Sequence, residues 1–410
     1  MIYENNKKLI PKLRFPEFQT SGEWKTVRLG DLIKEKNIRN KNNLITLVLS
    51  VTNKKDGFVI QNEFFGKSIA SKNVSNYKIV NKWDFAYNPA RINIGSISML
   101  ENFEVCIVSP MYVVFSINHE IIYKYFLKYW IQSYNFTGYI KPLLAGSVRN
   151  ILSFNSMQEM IIQIPSLEEQ HRIASFLTSA DELIDAERRK LEALKKYKKG
   201  LMQKLFPRDG EKIPEMRFPK FKNNSNINFL NGNVLFENIS DKNHNSDLPI
   251  LAITQDKGAI PRDKINHKII TLKKTISNYK VVNKGDFIIS LESFKSGIEY
   301  SIYKGICSNA YIVLRKRKDK NIYEPYYKYF FKTDRYIKQL NIGIQGIRQG
   351  KLVSYSQFSS IKIPCPSLEE QQKIAEVLST ADELIGAERR KLEALKKYKK
   401  GLMQKLFPNI

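Results

Sequence analysis

The sequence predicts an α+β protein built as a tandem duplication: a mixed α/β domain and a long helix occur twice, and the two helices pair as an antiparallel coiled coil with pseudo-two-fold symmetry. Three observations predict it. The chain matches itself at a period near 201 residues, each copy of the best-matched segment carries a hydrophobic seam with 3,4 spacing, and the two halves of that segment carry opposite charge.

The repeat sets the boundaries. From Pro165 to Pro207, 36 of 43 positions recur at Pro366 to Pro408, and Glu187 to Pro207 returns unchanged as Glu388 to Pro408. Elsewhere the match thins but persists. Ile10–Pro16 recurs as Ile213–Pro219, Asn76–Lys82 as Asn278–Lys284, and Tyr123-Lys124-Tyr125-Phe126 aligns with Tyr327-Lys328-Tyr329-Phe330. The order is therefore a first variable domain over residues 1–160, a constant helix over 165–207, a second variable domain over 208–362 and a second constant helix over 366–408. A chain of 410 residues suits two such cores.

Each constant segment has helix punctuation. Ser166 and Glu169 stand at capping-box spacing after Pro165, so hydroxyl and carboxylate can each satisfy a free backbone donor, and Pro207 closes the run. The seam comprises Ile173, Leu177, Ile184, Leu191, Leu194, Leu201 and Leu205, with Ala180, Glu187 and Lys198 completing the spacing. The second copy supplies Ile374, Leu378, Ile385, Leu392, Leu395, Leu402 and Leu406. One helix cannot bury such a stripe alone, so the copies are natural partners. Glu168, Glu169, Asp181, Glu182, Asp185 and Glu187 make the first half acidic, and Lys195, Lys196, Lys198, Lys199 and Lys204 make the second half basic. An antiparallel pair sets acid against base, although each exposed pair contributes little. Gly200 and Gly401 cost about 1 kcal/mol each relative to alanine, which points to a close helix approach or a kink.

In the variable domains, Thr46–Val51 and Pro249–Thr254 read as buried strands, each followed by a lysine-containing turn to Gly57 or Gly258. Tyr112–Phe115 and Tyr311–Leu314 form a second matched pair of strands.

The net charge is +27 and the pI near 9.7. The variable domains carry +23 of it, +9 in residues 1–160 and +14 in 208–365, whereas each helical segment holds +2. Charge concentrated in the diverged domains suits a phosphate polyanion, and an excess of lysine for solubility alone is the rival explanation. No apolar run is long enough to span a bilayer, and no secretory signal follows the first methionine, so the expectation is a cytoplasmic protein without a membrane partner. Cys106, Cys307 and Cys365 have no close-spaced motif and read as free buried thiols.

Signatures of catalysis are incomplete. Gly66-Lys67-Ser68 resembles the end of a phosphate-binding loop, but Gln61 stands where its first glycine would be. Asn88-Pro89 is followed by Ala90 and Arg91 and reads as a structural turn rather than a methyltransferase motif. Glu17 and the Glu23-Trp24-Lys25 run have nuclease-like residue types, but the duplicate lacks them. His119, His171, His244 and His267 have no metal-ligand spacing. The reading is a non-enzymatic chain with neither a catalytic nor a metal site.

Candidate DNA-contacting residues sit in glycine-borne loops. Arg149 and Asn150 end the Gly146–Asn150 segment, and Gln345, Arg348, Gln349 and Lys351 surround its counterpart. Arg91, Asn93 and Lys295 occupy a second pair of polar loops. Arginine, glutamine and asparagine are the types that make bidentate contacts to guanine or adenine edges; an arginine anchoring its own loop is the competing role.

Two variable domains separated by repeated helices resemble type I restriction-modification specificity subunits. The helices open with Pro165-Ser166-Leu167-Glu168-Glu169-Gln170 and continue through Ile173-Ala174 and Ala180–Ile184, and Trp24–Asp31 stands at the first domain's start. The resemblance spans nearly the whole chain. The second domain departs at Asn228-Phe229-Leu230-Asn231-Gly232, which replaces the Trp-containing segment. Membership implies two target-recognition domains reading the halves of a bipartite double-stranded DNA site, helices that set the spacing, two docked methyltransferase (modification) subunits and later restriction/translocase subunits. S-adenosylmethionine, ATP and Mg would belong to those partners, with no cofactor in this chain. The alternative is a stand-alone two-headed DNA-binding regulator.

Overall fold

The computed structural model describes residues 9–53, 57–61, 73–145, 151–223, 227–255, 257–265, 276–291, 293–342 and 353–408. The chain divides into two units, residues 1–187 with 391–410, and residues 188–390. Each unit repeats one architecture.

In the first unit, β1 (Lys25–Arg28) pairs antiparallel with a late strand, Ile161–Ile164. A four-stranded antiparallel sheet runs in the order β2 (Ile33–Glu35), Val113–Ile117, Phe85–Tyr87, Ile97–Met99. β3 (Leu49–Val51) and β4 (Phe58–Ile60) form a hairpin, and β5 (Lys78–Asn81) pairs with Val105–Val108. In chain order the remaining strands are β6 (Phe85–Tyr87), β7 (Ile97–Met99), β8 (Val105–Val108), β9 (Val113–Ile117) and β10 (Ile161–Ile164), with helices α1 (Lys124–Gln132), α2 (Tyr134–Ala145) and α3 (Phe154–Gln158). α1 lays Phe126, Leu127, Tyr129 and Trp130 into the core beside Phe85 and Phe115.

The second unit repeats each pairing. β11 (Asn228–Asn231) joins β20 (Lys362–Cys365), as β1 joins β10. The segment that lacks the tryptophan thus makes the same strand, because a ladder needs only backbone donors and acceptors. The larger sheet runs β12 (Phe236–Ile239), β19 (Ile312–Lys316), β16 (Phe287–Ile289), β17 (Glu299–Tyr300); the smaller pairs are β13 (Leu251–Thr254) with β14 (Gly258–Pro261), and β15 (Lys280–Val282) with β18 (Gly305–Cys307). The strands read as Thr46–Val51 and Pro249–Thr254 begin only at Leu49 and Leu251.

The two long helices are α4 (Leu167–Leu205) and α9 (Leu368–Leu406), and each gives half its length to each unit. Between them in the chain lie α5 (Ser293–Ser296), α6 (Glu324–Phe330), α7 (Asp334–Ile342) and α8 (Tyr355–Ser360), besides a single helical turn at Gly232–Leu235. Within each unit the two long-helix halves run antiparallel. In the first, Lys399 bonds Asp181 at 2.6 Å and Lys391 meets Glu187; in the second, Lys198 bonds Asp382 at 2.5 Å and Lys190 meets Glu388 at 2.7 Å. Residue numbers fall on one strand of the pair as they rise on the other, and acidic halves face basic ones. The seam lies inward: Ile173, Leu177, Leu191, Leu205, Ile374, Leu378, Ile385, Leu392, Leu402 and Leu406 are buried, and Ile184, Leu194, Leu201 and Leu395 are half-buried.

Four sequence expectations are corrected. Gly200 and Gly401 do not mark a close helix approach, since a Cβ at either would meet nothing within 4 Å, and both lie inside unbroken helices. The capping box is half formed: Glu169 N–H donates to Ser166 Oγ at 3.3 Å, but its carboxylate is turned away to Arg14. Tyr123 corresponds to Tyr323, not Tyr327, because both backbone N–H groups donate to the equivalent Gln170 and Gln371 side chains. A Tyr-Lys-Tyr pattern recurring one helical turn later produced the misalignment. Cys365 is half-buried rather than buried, whereas burial pushes the Cys106 and Cys307 thiols up to about 12. Among the described residues no helix is long and apolar enough to cross a membrane, and no His, Cys, Asp and Glu cluster could hold a metal.

Candidate nucleic-acid interface

Short strands place one loop of each unit in the same slot. In the first unit it joins β6 to β7. Asn88 Oδ1 accepts from Ala90 N–H at 3.1 Å, and the Asn88 carbonyl accepts from Arg91 N–H at 3.0 Å, so Asn88-Pro89 opens a turn as its sequence suggests. Buried Ile92 anchors the loop beneath a short 3-10 turn, and Gly95 closes it at φ +85°. Ser96 Oγ then donates to the Val51 carbonyl at 2.8 Å. The scaffold is satisfied by its own backbone, leaving Arg91, Asn93 and Ile94 exposed at the tip. Neither Arg91 nor Asn93 makes a side-chain hydrogen bond or ion pair among the described residues, unlike an arginine that anchors a loop.

Two further segments reach this tip. The β3–β4 hairpin lies alongside, with Asn53 next to Gly95 and Gly57 at φ +60° where a Cβ would collide with Ser98. Leu152 N–H donates to the Pro89 carbonyl at 3.2 Å, and Tyr87 Oη donates to the Leu152 carbonyl at 3.2 Å. Arg149 and Asn150 precede Leu152 but lie outside the described residues, as do Gln345, Arg348, Gln349, Lys351 and the Gly66-Lys67-Ser68 run.

In the second unit the slot between β16 and β17 holds α5. Ser293, aligned with Arg91, is fully buried; its Oγ accepts from Ser290 N–H at 2.8 Å. Gly297, at φ +79°, has the Phe331 carbonyl where a Cβ would sit. Lys295 and Leu291 are both exposed, and Lys295 makes further contacts of its own. The scaffold is shared and the presented chemistry differs: arginine, asparagine and isoleucine in one unit, lysine and leucine in the other.

Each domain is fixed to its helices by groups the sequence reading missed. Arg14 gives Glu169 a bidentate pair at 2.8 and 2.7 Å, with both side chains buried and Trp24 Nε1 donating to the same carboxylate at 3.3 Å. Arg217 does the same to Glu370 at 2.7 and 2.8 Å. The hydrogen bond to the glutamate holds each guanidinium above its ordinary pKa. The recurring Arg-Phe-Pro motif was the available signal. Gln170 and Gln371, the last letter of the helix signature, bond backbone groups of the domain and of Pro165 or Pro366.

A second node joins the domain to both helices. Tyr129 Oη donates to Asp181 at 2.9 Å while Lys399 bonds the same carboxylate; Tyr329, Asp382 and Lys198 repeat this at 2.9 and 2.5 Å. Burial holds both tyrosines protonated far above their ordinary range, with the neighbouring aspartate adding to the effect. Burial alone would raise the Asp382 carboxyl, but the hydrogen bond and charge of Lys198, with the Tyr329 hydroxyl, outweigh it and hold it low.

Comparison with known proteins agrees with this architecture. The model of the type I restriction modification DNA specificity domain matches residues 21–196 and again 216–397. The type I restriction enzyme MjaVIII specificity subunit of Methanocaldococcus jannaschii is 26% identical over 98% of this chain and 95% of its own. The type I restriction-modification system S subunit from M. genitalium superposes with a TM-score of 0.55 at 15% identity, covering 98% of this chain and 99% of that one. A chain from a structural study of type I R-M complex assembly and conformational transition gives 0.56 at 18% identity, over 94% and 98%. Two copies of one family domain, each ending in half of an antiparallel helix pair, account for almost the entire chain, which belongs to the type I restriction-modification DNA specificity family.

Proposed function

We propose that each unit reads one half of a split double-stranded DNA site and that the helices set the spacer between the halves. Two methyltransferase subunits dock on the assembly, and restriction/translocase subunits join it. S-adenosylmethionine, ATP and Mg act in those partners, while this chain supplies sequence choice without chemistry of its own, in the cytoplasm. The observation that carries the reading is the shared loop slot, which presents Arg91 and Asn93 in one unit and Lys295 in the other on matching scaffolds. Phosphate contacts fix register and base contacts specify, so two copies of one frame with different tips suit two different half-sites.

The test is to map methylated adenines in cells with and without this chain. A bipartite motif should be methylated only in its presence. An unchanged methylation map, with no methyltransferase copurifying, would favour the stand-alone regulator.

A further inference from the structure

The duplicated helices meet different walls in the two units. In the first, a groove of about 1090 Å³ lies between the end of α9 and α2, where Tyr134, Tyr139, Pro142, Leu143 and Met160 stand with Lys12 and Lys405, and Glu159 opposes those two cations. In the second, the equivalent groove of about 550 Å³ lies between the end of α4 and α7 and is dominated by cations. The correspondence is fixed by hydrogen bonds. Asn135 Nδ2 donates to the Pro408 carbonyl at 2.7 Å, and Arg335 Nη1 donates to the Pro207 carbonyl at 3.1 Å; Ser133 and Thr333, two residues earlier, each bond back to the i−3 carbonyl.

In that register Lys332, Arg335 and Lys338 replace Gln132, Asn135 and Gly138. A neutral amide suffices to hold the proline carbonyl, so the guanidinium brings a charge the fold does not need. Arg335 hydrogen-bonds only backbone carbonyls among the described residues, and burial lowers its pKa. Lys338 is exposed with no ion pair among the described residues, and Lys199 meets Asp334 only at 3.9 Å with both side chains largely exposed. Lys198 and Lys332 are committed to Asp382 and Glu299. α7 and the turn before it also back the reading loop: Lys332 Nζ donates to the Ser296 carbonyl at 3.0 Å, and Ile337 lies against Gly297.

We propose that this groove, formed by Lys199 of the helix with Arg335 and Lys338 of the domain, binds the DNA phosphodiester backbone beside the second half-site, and that the first unit has no equivalent. The inference rests on the DNA-reading function above and extends it, because the constant helix then contacts DNA as well as spacing the domains. Phosphate in the groove adds to Asp209 in compensating the half-buried guanidinium and releases counterions.

The test compares the salt dependence of binding of the full chain to a duplex of arbitrary sequence for wild type, the Lys199→Gln/Lys338→Gln double variant, and Arg335→Asn, which restores the first unit's residue. Removing one phosphate contact should lower the slope of log K against log salt by about 0.9, so the double variant should fall by roughly 2, with the methylated motif unchanged. If wild type binds and both variants keep its slope, the groove proposal is overturned. Retained slope with loss of a partner subunit also overturns it, assigning the groove to an acidic protein surface. Failure of wild type itself to bind duplex at low salt would strike the underlying reading instead.

Discussion

The backbone N–H of Leu13 donates to the carbonyl of Lys405 at 2.9 Å, and Met216 donates to Lys204 at the same distance in the second unit. The segment before each domain is thus clipped to the end of the helix that closes the same unit, with Trp24 packing edge-on against Phe407 in the first. The first unit draws its opening segment and its closing helix from opposite ends of the sequence, yet they meet as those of the second unit do.

A circular permutant follows. Joining residue 408 to residue 9 through a short linker and opening the chain at exposed Asp209-Gly210 should leave the fold intact, because no buried backbone hydrogen bond is cut there. Stability should change by about 2 kcal/mol or less, measured by denaturant unfolding. Failure to fold would contradict the clip.

The Arg14–Glu169 pair gives a stability prediction. Removing one partner of a buried ion pair leaves an uncompensated charge, so Arg14→Ala should cost about 3–5 kcal/mol, and Arg217→Ala a similar amount. Arg14→Lys should recover only part, since an ammonium cannot make the two parallel bonds. Urea midpoints of the three variants check this.

Asp382 gives a pH prediction. Its folded pKa is depressed, so its contribution is present above the ordinary carboxylate value of about 3.9 and is lost as pH falls through the lower folded value. Asp382→Asn should therefore destabilise the chain at neutral pH and flatten the acid limb of its stability profile. Unfolding curves from pH 7 downward measure both effects.

The duplication, the antiparallel pairing and the inward seam were legible because they depend on period and charge, which survive in a 36-of-43 match. The Arg14–Glu169 bond was not, since its partners are 155 residues apart and the glutamate also fits a local capping box. Tyr129 and Tyr329 were obscured by a neighbouring tyrosine one turn away. At the loop tips, residue type singled out Arg91, Asn93 and Lys295, and all three are exposed. It did not show that the position aligned with Arg91, Ser293, had become a buried hydroxyl holding its own loop.

Arg91→Ala should relax one base position in one half-site, with a loss of about 1–3 kcal/mol against the preferred base and little change elsewhere. Uniform weakening across all sequences would make Arg91 a phosphate contact. Competition between duplexes differing at single positions distinguishes the two.

The most direct test exchanges the first domain, from β1 to β10, for that of another family member and reads the methylated sequence in cells. Separate reading heads on a common helical frame predict that one half of the motif changes while the other half and the spacer persist. A change in both halves together, or no change, would contradict the two-headed reader.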